Sequence, residues 1–335
     1  MPHTPATSAR PKRSRALIIT AIAIAVAALA AAGIWWGVTA ASSANTAASA
    51  QSAARALPDD TSMGAVELVT ASLAPMQEYY VNAVGLDVLD ASSTQVSLGR
   101  DDAELITLTL DDGRPVDTAT QAGLYHSAIL YPDSPSLARV LSHIATAAPE
   151  SYSGSADHSV SLAFYFTDPD GNGLELYTDT PEDTWVWNDG LVTMGAAPLD
   201  PNVFIQEHLG QTPSTEDTVM GHVHLRVGNL NDARAFYADT LGFDVTAESD
   251  GALFYSAGGY HHHLATNTWM SDGAGDRPKA QGLGHFTVHL GDDAALAAVA
   301  DRLEAAQVAF TNDAGQLTVD DPWGNTIRLL GTPAA

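Results

Sequence analysis

Cysteine is absent from the 335 residues. That excludes disulfides, thiolate zinc sites, a cysteine nucleophile and a lipid-modified N-terminal cysteine together. Basic residues are scarce, 14 against 40 acidic, for a formal net charge of −26. Four of the basic side chains (Arg10, Lys12, Arg13, Arg15) precede residue 16, and no acid occurs before Asp59, so the remainder is more acidic still. Such a surface repels phosphate backbones and anionic lipid, which argues against nucleic acid as a partner. Aromatics make up 7% and apolar residues 45%, enough for a packed core and too much for wholesale disorder.

Long apolar runs are lacking, with one exception. Ala16 to Val38, "ALIITAIAIAVAALAAAGIWWGV", carries no charge, and at ~1.5 Å per residue it reaches across a hydrocarbon core of ~30 Å. The basic flank before it and Trp35-Trp36 at its far end fit a single-pass helix with a cytoplasmic N-terminus and the globular part outside. Secretion after signal cleavage, at "VTA" or in the Ala-Ser repeats beyond, is the competing reading, although the run exceeds the ~7 to 15 residues usual for a signal peptide. The expected organisation is a basic tail at 1–15, a transmembrane anchor at 16–38 and a flexible linker at 39–60.

The globular part repeats itself. "GAVELVTASLAPMQEYYVNAVGLDV" (64–88) aligns without a gap to "GHVHLRVGNLNDARAFYADTLGFDV" (221–245), with Gly85 and Gly242 where helix C-caps belong. A second pair interleaves: "GLYHSAIL" (123–130) matches "GLGHFTVHL" (282–290), and each of these repeats closes with a turn and strand, "DPDGNGLELY" and "DPWGNTIRLL". Pro fixes φ in that turn, and Gly and Asn tolerate positive φ. Each repeat reads strand, helix, several strands, over about 62–115, 122–180, 219–270 and 281–332. The predicted class is α+β, with four βαβββ modules paired into two cupped mixed sheets. Two-module domains are expected at 61–180 and 219–335, joined by a connection at 181–218.

This arrangement resembles the vicinal oxygen chelate superfamily, whose paired modules form cups around a divalent metal. "GLYHSAILYP", "DHSVSLAFYFTDPDGNGLELYTDTPEDTW", "GHVHLRVGNLNDARAFYADTLGFDV" and "GGYHHHLATNTW" resemble its bacterial catechol 2,3-dioxygenase branch. The likeness implies metal ligands at two places in a module, the start of the first strand and the last strand after the turn. Here those places hold Ala65, His126, His222 and His285, and Thr107, Glu175, His263 and Arg328. It also implies two histidines and one carboxylate on a non-haem Fe(II). Glu175 is the one carboxylate at a ligand position, and between Leu174 and Leu176 in a core strand it is costly to bury without a partner.

Sequential pairing of the modules would leave His126 and Glu175 alone in one cup, with His222, His263 and His285 in the other. Pairing the second module with the third would assemble His126, Glu175 and His222, and is preferred because it completes a triad. In "HVHLRV", His222, His224 and Arg226 share one face while Val223, Leu225 and Val227 share the other.

The same alternation sends Tyr177 to the face of Glu175, as a substrate-oxygen partner or a half-buried strand aromatic. It also sends His261 and His263 towards the cup, where one would act as a fourth ligand, as a proton shuttle or as support for the ligands, and His262 elsewhere. His285 and His289 read as remnants of a second site, His158 as support for the strand before the turn, and His143 and His208 as surface residues.

The resemblance implies an Fe(II)- and O2-dependent extradiol dioxygenase acting on a small aromatic diol, associated with the membrane through its N-terminal helix and compatible with homo-oligomers. The alternatives are a small-molecule capture or resistance module, and a glyoxalase-like lyase or isomerase.

Overall fold

A computed structural model describes residues 56–100 and 103–331. The apolar run at 16–38 lies outside them, and among the described residues no helix is long and apolar enough to cross a membrane.

All four repeats fold as strand, helix and three strands. The first holds β1 (Ser62–Thr70), a helix α1 (Leu73–Tyr79) continuing as a π-helical stretch (Tyr80–Val84), β2 (Asp87–Ala91), β3 (Gln95–Arg100) and β4 (Ala103–Leu110). The second holds β5 (Gly123–Leu130), α2 (Ser134–Ala147), β6 (Tyr152–Asp157), β7 (Ser161–Thr167) and β8 (Gly173–Asp179). In the connection come β9 (Trp187–Asn188), β10 (Leu191–Val192), β11 (Ala197–Pro198) and α3 (Pro201–His208). The third module is β12 (Val219–Arg226), α4 (Leu230–Ala233) running into a π-helix (Arg234–Leu241), β13 (Asp244–Ser249), β14 (Ala252–Ser256) and β15 (Leu264–Asn267). The fourth is β16 (Gly282–His289), α5 (Asp293–Ala305), β17 (Phe310–Asp313), β18 (Gln316–Asp320) and β19 (Thr326–Leu330).

Side-chain chemistry sets the helix limits. Asp133 and Asp292 accept from the backbone N–H of Ser136 (2.8 Å) and Ala295 (2.7 Å), capping α2 and α5. Gly85 (φ 82°) and Gly242 (φ 101°) end the π-helical stretches in the left-handed conformation that the sequence assigned to them.

Sheet order decides which modules share a cup. One sheet runs β17-β18-β19-β16-β1-β4-β3-β2 and joins modules four and one; the other runs β11-β6-β7-β8-β5-β12-β15-β14-β13 and joins two and three. Both are mixed: within a module the first and last strands pair in parallel, as β5 with β8, while the modules meet through antiparallel first strands, as β5 with β12. The halves 61–180 and 219–335 therefore interlock, and the expectation that each closes its own two-module domain is corrected, because β5 finds its partner in β12 and β1 in β16.

Helices tie the modules together in the other sense. The Asp168 carboxylate accepts from the N–H of Asp170 (3.0 Å) and Asn172 (2.9 Å), from the Asn172 amide (2.8 Å), and from the Tyr80 hydroxyl of module one (3.1 Å). Asp321 repeats the pattern with Trp323, Asn325 and, from module three, Tyr237 at 2.8 Å. The Asp-Pro-x-Gly-Asn turn is thus a socket for a tyrosine of the preceding module. Burial pushes the Asp168 carboxyl up to about 6 despite these donors.

Candidate metal centre

Strand register assembles the site. His126 on β5 lies opposite His224 on β12, and Ala128 faces both His222 on β12 and Glu175 on β8, so three adjacent strands present His126, Glu175 and His222 to one concave face. The Leu174, Leu176, Val223 and Leu225 side chains point the other way, into the main core.

Glu175 Oε2 stands 3.1 Å from His126 Nε2 and 3.3 Å from His222 Nε2. One donor atom from each of the three residues lies within 4.8 Å of the others, and all three residues are buried. Burial by itself would raise the Glu175 carboxyl, but His222 and then His126 close beside it outweigh this and hold the group well below the usual carboxylate range. His222 is pushed down by its burial against the opposing pull of Glu175. An ionised carboxylate beside a histidine that burial drives towards its neutral form suits a divalent cation. His126 Nε2 and His222 Nδ1 are buried without an aligned hydrogen-bond partner, so the donor set has unused capacity and fits a metal.

The triad opens on a cavity of about 880 Å³, within the usual range for a small-molecule site. Tyr125, Phe254 and Trp269 form aromatic walls, and His224, Arg226 and His262 supply polar groups. Arg226 is committed elsewhere: its guanidinium pairs with Asp117 and donates to the Gln121 carbonyl (3.1 Å). His224 Nε2 accepts from the Asn267 amide nitrogen (3.0 Å), and burial, then His126 and His222, lower it well below its ordinary value.

A curated relative, "Catechol-2,3-dioxygenase" of Bacillus subtilis (strain 168), is 36% identical over 277 residues, spanning 79% of this chain and 95% of the relative. The chain belongs to the glyoxalase/bleomycin resistance protein/dioxygenase superfamily. The sequence profile of that superfamily matches residues 219–329. Its fold is shared with a solved "putative dioxygenase" from Bacillus subtilis (TM-score 0.53, 12% identity, 82% of this chain and 86% of that one). It is shared as well with a point mutant of glyoxalase I from Zea mays (TM-score 0.50, 16% identity, 81% and 92%).

Within this superfamily fold, the third-module histidines are placed otherwise than strand alternation predicts. His261, His262 and His263 precede β15, which begins at Leu264, and follow a turn in which Gly258 (φ 65°) and Gly259 (φ 78°) are left-handed. Alternation needs extended strand and does not reach them. His262 lines the cavity and packs on His222, ring centroids 4.1 Å apart. His261 turns to Asp179 (Nε2 to Oδ1, 2.8 Å), and His263 to the Ser256 hydroxyl (2.9 Å), and neither is among the residues lining the cavity. Tyr177 packs against His222 (ring centroids 4.9 Å, rings tilted) with its hydroxyl on that of Tyr260 (2.9 Å), and is not among the residues lining the cavity.

Tyr165 is one of the lining residues that sequence reasoning missed. It is cross-strand partner to Glu175 and therefore shares its face, and its hydroxyl meets His158 Nε2 at 2.7 Å. Counting outwards from the Asp168 turn as a hairpin would have found it.

The other cup contains no comparable triad among the described residues. Glu67 Oε2 there meets His285 Nδ1 at 2.8 Å, and Glu67 Oε1 accepts from the Thr109 hydroxyl at 2.7 Å. The His285 bond holds the Glu67 carboxyl down to about 2 against partial burial. A depressed carboxylate stabilises the fold above its ordinary pKa and loses that contribution as pH falls from about 4.5 towards 2. Glu67→Gln is expected to cost about 1–2 kcal/mol at pH 7, a figure discounted because the pair is partly open to water. Urea unfolding of both proteins should show this gap closing as the pH approaches 2; a gap constant with pH would remove the ion pair from the account.

Proposed function

We propose that the protein is an extradiol ring-cleaving dioxygenase of the catechol 2,3-dioxygenase type, holding Fe(II) on His126, Glu175 and His222 and opening a vicinal aromatic diol with O2. The observation that carries this reading is the single buried carboxylate between two histidines with unspent nitrogens, facing an aromatic-walled cavity. Two neutral donors and one anion suit non-haem iron with open positions. A glyoxalase-type site would ideally add a second carboxylate, and among the described residues none joins the cluster.

When bound, Fe(II) supplies Lewis acidity towards a diol held through both oxygens, together with the one-electron chemistry that O2 requires. The chain's own residues do the rest. Tyr125, Phe254 and Trp269 provide faces and edges against which a flat ring packs, and the cavity has room for ring substituents. Tyr165, beside Glu175 and anchored to His158, is placed to hydrogen-bond a substrate oxygen at the metal. His262 is the proton carrier: burial, then His222 and His261, push it well below its ordinary value, so it enters the reaction unprotonated. Its Nδ1 is engaged by His261 at 2.7 Å, which leaves Nε2 to take the hydroxyl proton and return it.

The test is O2 uptake by the full chain, purified without oxygen and loaded with Fe(II). One O2 consumed per catechol, with a yellow ring-opened product, is expected. Catechol binding without O2 consumption would overturn the enzyme reading in favour of a capture module.

A further inference from the structure

We propose that Asp179 and His261, neither of which lines the cavity, are positioning residues that fix the tautomer of His262 and so make its Nε2 the basic nitrogen offered to substrate. The catalytic consequence rests on the dioxygenase reading; the tautomer itself does not.

The hydrogens of these side chains form a closed network. A carboxylate can only accept. Asp179 accepts from the Tyr260 hydroxyl at 3.0 Å and from His261 Nε2 at 2.8 Å. Tyr260, its hydrogen so committed, accepts from the Tyr177 hydroxyl at 2.9 Å. A singly protonated His261 that donates from Nε2 has a lone pair at Nδ1. The atom facing that lone pair at 2.7 Å is His262 Nδ1, which must therefore carry the hydrogen. His262 is left with its lone pair on Nε2, which has no protein partner among the described residues. Had Asp179 been absent, either tautomer of His262 would satisfy His261 equally, and a share of the molecules would present an N–H where a base is needed.

The surroundings keep the network rigid. His261 is fully buried, stacked on Tyr260 (ring centroids 4.1 Å) and edge-on to Trp185 (5.1 Å). Its backbone carbonyl accepts from the Thr246 hydroxyl at 2.6 Å, which fixes the turn that aims the ring. Tyr177 belongs to the same assembly: it packs on His222 while its hydroxyl starts the donor chain. Asp179 is where the assembly reaches solvent, with a side chain 23% exposed, while His261 behind it is fully buried. The sequence signal is the run of three histidines itself: the first orients the second, the second works in the cavity, and the third bonds Ser256.

The test is ¹⁵N-histidine NMR on the metal-free full chain, with His262 assigned by comparison with His262→Phe. In the wild type, His262 is expected to show a protonated Nδ1 and an unprotonated Nε2. His261→Gln should keep this pattern, because its amide donates to Asp179 through nitrogen and accepts from His262 through oxygen. Asp179→Asn and His261→Phe should lose it, giving mixed or Nε2-protonated signals. In the iron-loaded enzyme the same two variants should lower kcat by at least ~10-fold at little-changed KM, while His261→Gln stays within about 3-fold of wild type. An Nε2-protonated His262 in the wild type overturns the proposal, as does a His261→Phe variant that retains the wild-type tautomer. Because these signals need neither iron nor turnover, they stand even if catechol proves not to be a substrate.

Discussion

Glu175→Gln is expected to abolish metal binding and turnover together. The carboxylate is 3% exposed and sits between His126 and His222 at 3.1 and 3.3 Å, so it supplies the negative charge of the triad. Its amide analogue keeps the volume but offers a neutral oxygen, and iron affinity should fall by at least ~10³, with O2 uptake falling to background. Metal-free stability should also fall at neutral pH, because a carboxyl held below its ordinary range in the folded protein stabilises the fold while ionised, and the amide loses that contribution. Iron content after anaerobic loading, oxygen electrode traces and urea unfolding check the three statements. Retained iron with lost activity would make Glu175 a base and not a ligand.

His262→Phe is expected to separate binding from chemistry. The substituted ring still packs on His222, where the histidine ring lies 4.1 Å away, so iron should be retained. What disappears is the nitrogen facing the cavity, and kcat should fall on the order of 10²- to 10⁴-fold with KM for catechol nearly constant. By contrast, His263→Phe should cost less than about 10-fold, because that ring serves Ser256 outside the cavity lining. Steady-state kinetics on both variants, normalised to bound iron, decide the order. If His263→Phe were the more damaging, the orientation of the Gly258–His263 turn in solution would differ from the one described.

The parts of this molecule legible in sequence were those written in local periodicity. Alternation in "HVHLRV" placed His222 and His224 on the cavity face and Val223 and Leu225 in the core, as observed. The module repeat located β5, β8 and β12, and the demand for a complete donor set selected the pairing of modules two and three that the sheet order shows. Nothing local in the sequence required that pairing, since antiparallel contact between β5 and β12 joins residues about a hundred positions apart.

Alternation failed at His261 to His263, where two left-handed glycines replace strand by turn. It also gave no account of Tyr177, whose face was read correctly but whose hydroxyl is drawn to Tyr260 by a partner from another module. Tyr165 and the Glu67–His285 pair went unseen for the same reason: both depend on cross-strand neighbours, one across a hairpin and one across modules.

The central claim is that His126, Glu175 and His222 hold a divalent metal at the head of the cavity. Anomalous scattering at the iron edge, from crystals grown anaerobically with Fe(II), tests it most directly. A single peak within about 2.0–2.2 Å of His126 Nε2, a Glu175 oxygen and a His222 ring nitrogen is expected. A peak beside Glu67 and His285, or no peak in protein that still consumes O2 with catechol, would contradict it.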